Sequence, residues 1–124
     1  MSDVSAVLLA AGESTRMGQQ KALLPWKGTT LLQHQVNSLL DGGSSQVIVV
    51  LGYRAERLRF LVNDIPGVVP VLNLRYRTGK TSSIRAGLRN VDPRTQMVLV
   101  LSVDQPRSPT LVQKVVEAHR QRGA

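Results

Sequence analysis

Arg16, Lys21 and Asp104 are the charged residues of this chain whose neighbours suit them to phosphate chemistry. The first two lie in the stretch SAVLLAAGESTRMGQQKALLP, Ser5 to Pro25, where an apolar run (Val7, Leu8, Leu9, Ala10) ends at Gly12. A strand that stops at a loop of small residues presents backbone N–H groups with little side-chain bulk in front of them. A guanidinium and an ammonium close behind supply fixed charge for phosphate oxygens, so the loop is suited to hold a polyphosphate. Asp104 follows a later apolar run, in Ser102-Val103-Asp104-Gln105-Pro106. A carboxylate leaving the carboxyl end of a strand can hold Mg2+ against substrate phosphates. An aspartate in a turn before a proline is the ordinary alternative. With Arg16 and Lys21 expected over the same crevice, the metal reading of Asp104 is favoured.

Two familiar phosphate motifs do not fit. Gly12 and Gly18 do not make G-x-G-x-x-G, and Leu51-Gly52-Tyr53 offers no acid for a ribose. Gly79-Lys80-Thr81 resembles the end of a P-loop, but the position five residues before Gly79 is Leu74. Cysteine is absent, which removes a disulfide framework, a thiolate metal site and a thiol nucleophile. His34 and His119 fall within predicted helices and read as surface or packing residues, and Met17 as a plug beneath the first loop.

The elements that must position these residues are written in the apolar pattern. Ala6–Ala10, Val47–Leu51, Val68–Leu72 and Met97–Leu101 are short, aliphatic runs, apolar on both faces as strands of a covered parallel sheet are. Between them, Leu31, Leu32, Val36, Leu39 and Leu40 share one helical face. So do Leu58, Leu61, Val62 and Ile65, and then Ile84, Leu88 and Val91. A last helix is expected to start at Ser108 as N-cap with Pro109 behind it, to carry Leu111, Val112, Val115 and Val116 as its stripe, and to end at Gly123. The order β-α-β-α-β-α-β-α predicts one domain over residues 1–124. Its fold class is α/β, an open, mostly parallel Rossmann-like sheet with helices on both faces. Ligands of such sheets bind beyond the carboxyl ends of the strands, which directs attention to the loops after strands one, three and four.

Composition narrows the partners. The 124 residues are 42% apolar and 19% charged, ordinary for a globular chain, and with 3% aromatics the core must be aliphatic. The net charge is +8, with cations clustered at Arg54, Arg57, Arg59 and again at Arg75, Arg77, Lys80, Arg85, Arg89. Nucleic acid is disfavoured, because aromatics are too few for base-stacking platforms and no zinc-finger or RNA-recognition motif is present. A solvated, arginine-rich surface that meets phosphate at a few points is the preferred account. The N-terminal apolar run is too short for a signal peptide and no stretch is long enough to span a bilayer, so a cytoplasmic location without membrane contact is expected.

The segments LLAAGESTRMGQQKALLPWKGTTLL, VIVVLGYRAE, VLNLRYRTGKTSSIRAGL and LSVDQP together resemble the MobA-like NTP transferases. Within them the chain is most similar to the cytidylyltransferases of molybdenum cofactor maturation. The resemblance implies a nucleotide-diphospho-sugar transferase type of fold and a nucleotidyl transfer: a terminal phosphate of the acceptor attacks the α-phosphorus of a nucleoside triphosphate and pyrophosphate leaves. It implies the base against the backbone of Leu9, Ala10, Ala11 and Gly12, the phosphates on Arg16 and Lys21, and Mg2+ on Asp104. Asn73, Gly79, Ser82 and Ser83 match the family's second nucleotide-contacting region; helix capping before Ile84 is the plainer role for the two serines. Ala11 favours CTP over GTP, and the implied acceptor is a phosphorylated pterin. Methylerythritol cytidylyltransferases and sugar-phosphate nucleotidylyltransferases share the logic of the first loop but match Asp104-Gln105-Pro106 less well. The chain departs from the family at its end. The family's C-terminal third, with its second acidic metal ligand and most of the acceptor pocket, has no counterpart here, so a truncated sheet is expected. Met97–Leu101 would then be an exposed edge open to self-association.

Overall fold

β1 (Val4–Ala10) is buried at all seven residues, because it is flanked by strands on both sides and covered on both faces. The computed structural model describes residues 4–11, 21–52 and 55–121, with only the backbone at Lys21. After β1 come a short 3-10 turn (Lys21–Leu23), β2 (Pro25–Trp26), β3 (Thr29–Thr30), α1 (Leu31–Asp41) and β4 (Gln46–Leu51). The chain continues through α2 (Ala55–Val62), β5 (Val68–Leu72), a second 3-10 turn (Tyr76–Thr78), α3 (Lys80–Leu88), β6 (Met97–Ser102) and α4 (Pro109–Gln121). The four long strands stand in the order β5-β4-β1-β6, every neighbouring pair parallel. This is the predicted α/β sheet, with the four strands within two residues of their expected ends.

Alternation along β1 divides the core in two. Ala6, Leu8 and Ala10 face one side with Val47, Val49 and Leu51, packed under α1, α2 and α4 through Leu32, Val36, Leu58, Val62 and Val112. Val7, Leu9 and Ala11 face the other with Ile48 and Val50, where Ile84 and Ala86 of α3 cover them. Helices therefore lie on both faces, but three to one. α3 packs on β1, β4 and β5 and leaves β6 bare on that face: Val98 is 38% and Val100 48% exposed. The expectation that every strand is covered on both sides holds for β1 and β4 and fails for β6, an edge strand among the described residues. A single helix is too narrow to roof four strands about 4.8 Å apart.

The helical faces are narrower than the apolar pattern suggests. On α4 the buried residues are Val112 and Val116, while Leu111 and Val115 are each 45% exposed. On α2 Leu58 and Val62 are buried, and Ile65 lies past the helix end. On α3 the buried residues are Ser83 and Gly87, whereas Leu88 is exposed and Val91 lies past the helix. The reason is the close seat of this helix: a Cβ on Gly87 would stand 2.4 Å from Val7 Cγ1 and 3.1 Å from Val50 Cγ2. Small residues bring the α3 backbone onto the sheet, Ile84 packs beside them, and Leu88 turns outward.

Two helices begin on hydroxyl caps, one of them the expected Ser108. Thr30 caps α1, its hydroxyl accepting from Gln33 N–H at 3.2 Å, and Ser108 caps α4, accepting from Leu111 N–H at 3.2 Å. Gly123, the expected stop of α4, lies outside the described residues. The β2–β3 hairpin was not anticipated; it turns at Lys27 (φ 49°) and Gly28 (φ 84°), the left-handed pair that a two-residue hairpin turn uses. No helix among the described residues is long and apolar enough to cross a membrane.

Candidate functional site

From β1 the chain builds outward to β4 and β5 on one side, then crosses back over the sheet to lay down β6 on the other. The order reverses between β1 and β6, and the crevice beyond the carboxyl ends at such a reversal is where ligands of open parallel sheets bind. Registry aligns Leu9 with Ser102 and Ala10 with Leu51, so the carboxyl ends of all four strands share one edge of the sheet. Leu9, Ala10 and Ala11 lie on that edge, each no more than 7% exposed.

The β6 end is tied to β1 one residue beyond the strand, where Val103 N–H donates to Leu9 C=O at 3.0 Å. Val103 is buried, and Asp104 after it is exposed on the edge. The loop turns at once, with Gln105 N–H donating to Ser102 C=O at 3.1 Å. From α1, the wholly buried Gln35 reaches the same loop: its amide nitrogen donates to Val103 C=O and its amide oxygen accepts from Arg107 N–H, each at 3.1 Å.

Asn73 organises the other end. Its N–H donates to Leu51 C=O at 2.7 Å, drawing the chain after β5 over the end of β4. Its side-chain amide donates to Ser82 Oγ and Ser83 Oγ, both at 3.0 Å, and its Oδ1 accepts from Arg75 N–H at 3.0 Å. Ser82 Oγ donates in turn toward Gly79 C=O at 2.8 Å and Arg75 C=O at 3.0 Å. Ser82 and Ser83 are therefore not caps of α3. The helix starts earlier, at Lys80, and its N-cap is Gly79, whose φ of 117° suits glycine and whose position provides no side-chain cap. What the sequence grouped as one segment is one hydrogen-bonded unit.

Tyr76 belongs to this unit and was not anticipated. Its ring lies so close on Gly52 that a Cβ there would meet Tyr76 Cβ at 2.5 Å, which folds the loop after β5 onto the end of β4. The Arg77 guanidinium stands 5.6 Å from the centre of that ring and donates from Nε to the phenol oxygen at 3.1 Å. Arg75, Arg77 and Lys80 are exposed and give this end of the edge a positive field. The Asp92–Arg94 pair, 3.1 Å apart, lies instead before β6, beside the amino ends of the strands. Hydrogen bonding to Asp92, then its charge, raises the Arg94 pKa.

Gly12, Arg16 and Met17 lie outside the described residues, as does the Lys21 side chain. The Lys21 backbone opens the 3-10 turn, and the next residue, Ala22, is buried in the same core as Leu31 and Leu32. Among the described residues no group of three or more His, Cys, Asp or Glu side chains converges. One exposed carboxylate at the carboxyl edge of the sheet fits Mg2+, which keeps water and substrate oxygens as ligands and needs one or two carboxylates from the protein. His34 stacks at a tilt on Trp26, ring centres 5.8 Å apart, as a packing residue does, and His119 is half-buried on α4.

Gln35 and Tyr76 are the site-shaping residues missed in the sequence. Gln35 had a readable signal: it is a polar residue inside the stripe of Leu31, Leu32, Val36 and Leu39. Tyr76 had none, because its role depends on how the loop folds back.

Known proteins fit this geometry. The family model of the MobA-like NTP transferase domain matches residues 6–124. The nicotine blue oxidoreductase of Paenarthrobacter nicotinovorans is 38% identical over 119 residues, 94% of this chain and 57% of its own. The molybdenum cofactor cytidylyltransferase of Escherichia coli is 33% identical over 88 residues, 71% of this chain and 45% of its own. A nucleotidyl transferase of Methanothermobacter superposes with a TM-score of 0.83 at 28% identity, over 94% of this chain and 58% of its own. A manganese complex of Rv0371c from Mycobacterium tuberculosis gives 0.73 at 30% identity, over 97% and 61%. The chain spans about half the length of these curated relatives. A family match running through all four strands, on a fold that solved nucleotidyl transferases share, makes this chain a member of the MobA-like NTP transferase family.

Proposed function

We propose that the chain is a Mg2+-dependent nucleotidyltransferase domain that binds a nucleoside triphosphate, CTP ahead of GTP, over the carboxyl ends of β1 and β6. It transfers the nucleotidyl group to a phosphorylated acceptor such as molybdopterin. An acceptor phosphate oxygen bonds to the α-phosphorus, the bond from that phosphorus to the β-phosphate oxygen breaks, and pyrophosphate leaves. The backbone of Leu9, Ala10, Ala11 and Gly12 lies against the base, and Arg16 and Lys21 grip the phosphates. The carboxylate of Asp104 holds the metal. Asn73, Gly79, Ser82 and Ser83 form the second contact region. When bound, the metal neutralises charge on the phosphates. The protein's own part is positioning and fixed charge, which suffices for this chemistry because the acceptor brings its own nucleophile.

The reversal of strand order beside Asp104 is the observation that supports this most, together with family membership. The test is pyrophosphate release with CTP or GTP, Mg2+ and a pterin-type acceptor. Arg16→Ala should remove about 3–4 kcal/mol of transition-state stabilisation. Saturable CTP binding without any pyrophosphate release would favour a nucleotide-binding unit that needs further chain to act. A second reading comes from the Paenarthrobacter relative, a nicotine blue oxidoreductase. Against a dinucleotide-dependent redox reaction, the segment after Leu9 lacks the G-x-G-x-x-G sequence of dinucleotide-binding folds.

A further inference from the structure

We propose that Gln35 is a positioning residue for Asp104: its amide clasps the loop 103–107 at both ends and sets where the metal-holding carboxylate stands. This rests on the reading of Asp104 as a metal ligand. Gln35 sits in mid-helix on the buried face of α1, wholly buried among Leu31, Leu32, Val36 and Leu39. An apolar side chain would pack there without desolvating an amide, and a buried amide is tolerated only where its polar atoms find partners. Both partners are backbone groups of one distant loop, Val103 C=O and Arg107 N–H. They also fix which way the amide points, because a carbonyl demands the NH2 end and an N–H demands the oxygen.

The clasp completes a set of restraints on the residue before Asp104. Val103 N–H is held by Leu9 of β1, and Val103 C=O by Gln35 of α1. The peptide leading into Asp104 is thus tied to the sheet on one side and to the helix on the other. Beyond Asp104, Gln105 N–H closes on Ser102, and Arg107 N–H returns to Gln35. Replacing the amide alone would leave Val103 C=O and Arg107 N–H without it as a partner, so some loss of stability is expected whatever its part in positioning. Partners that orient a metal ligand typically change metal affinity tenfold to a hundredfold.

The experiment follows Mn2+·CTP binding to the full chain by water-proton relaxation enhancement, in wild type, Asp104→Asn and Gln35→Met, with melting curves on each. Gln35→Met keeps the volume and removes both hydrogen bonds. The expected result is at least about a tenfold loss of Mn2+·CTP affinity in both variants, with the affinity for metal-free CTP unchanged in Gln35→Met. A purely structural role would lower the melting temperature and leave Mn2+·CTP affinity alone. Binding lost in Asp104→Asn but retained in Gln35→Met overturns the positioning role and leaves the metal site standing. Binding absent in wild type, or equal in Asp104→Asn, refutes the metal site and the positioning role with it. If Gln35→Met does not fold, hydrogen exchange in the other two proteins decides. The Arg107 amide should slow about tenfold when wild type takes up CTP with Mg2+, and should not slow in Asp104→Asn. An Arg107 amide indifferent to ligand in wild type overturns the proposal.

Discussion

Replacing Gly87 by alanine tests whether α3 is seated on the sheet as closely as its backbone indicates. The added Cβ would lie 2.4 Å from Val7 Cγ1, 3.3 Å from Val7 Cγ2 and 3.1 Å from Val50 Cγ2. Val7 and Val50 are wholly buried on adjacent strands, so neither can swing away into solvent. Overpacking of this kind costs about 1–3 kcal/mol, and a clash with a stiff, β-branched side chain belongs in the upper part of that range. Alanine returns about 1 kcal/mol through its better helix propensity. The net expectation is a loss of about 2 kcal/mol, or roughly 6–10 °C in Tm for a chain of this length. Thermal and urea unfolding followed by circular dichroism measure it. Adding Val7→Ala removes the obstructing methyls, so the double variant should be more stable than the sum of the singles by about 1 kcal/mol or more. A Gly87→Ala protein as stable as wild type, or a strictly additive cycle, would refute the close seat of α3.

Asn73→Ala should lower both stability and CTP affinity, because it orphans the Ser82 and Ser83 hydroxyls and releases Arg75 N–H at a cost of about 1–3 kcal/mol. Unfolding curves paired with calorimetric titration check it; lost stability with unchanged CTP affinity would remove this segment from the nucleotide site. Val100→Lys, on the exposed face of the β6 edge, should abolish any concentration-dependent self-association seen by sedimentation, with Tm changed little. A wild-type chain that stays monomeric across the concentration range would dispose of the edge as an association surface.

The strands were legible because each is a short aliphatic run bounded by glycine, proline or a polar cluster, and parallel central strands leave no polar face to confuse the pattern. Val47–Leu51 and Val68–Leu72 match β4 and β5 to within a residue. Periodicity does not encode how helices share the two faces. It grouped Leu88 with Ile84 and Val91; those two pack on the core of this face, but Leu88 is exposed, and α3 also sits down through Ser83 and Gly87, which no hydrophobic pattern marks. The β2–β3 hairpin was hidden because its strands are two residues each and its turn pairs Lys27 with Gly28 in place of the commoner Asn-Gly. At the candidate site, the grouping of Asn73 with Ser82 and Ser83 could be read from the family resemblance, and the structure supplies the hydrogen bonds. The roles of Gln35 and Tyr76 arise from contacts across 72 and 24 positions, which a linear pattern cannot express.

Calorimetric titration of CTP into the full chain with and without Mg2+, repeated on Asp104→Asn and Arg16→Ala, tests the central claim most directly: one triphosphate-and-metal site over the carboxyl ends of β1 and β6. The account predicts saturable, Mg2+-dependent binding in wild type that falls by about tenfold or more in each variant. Absence of binding with Mg2+ present, or binding untouched by either substitution, would contradict it.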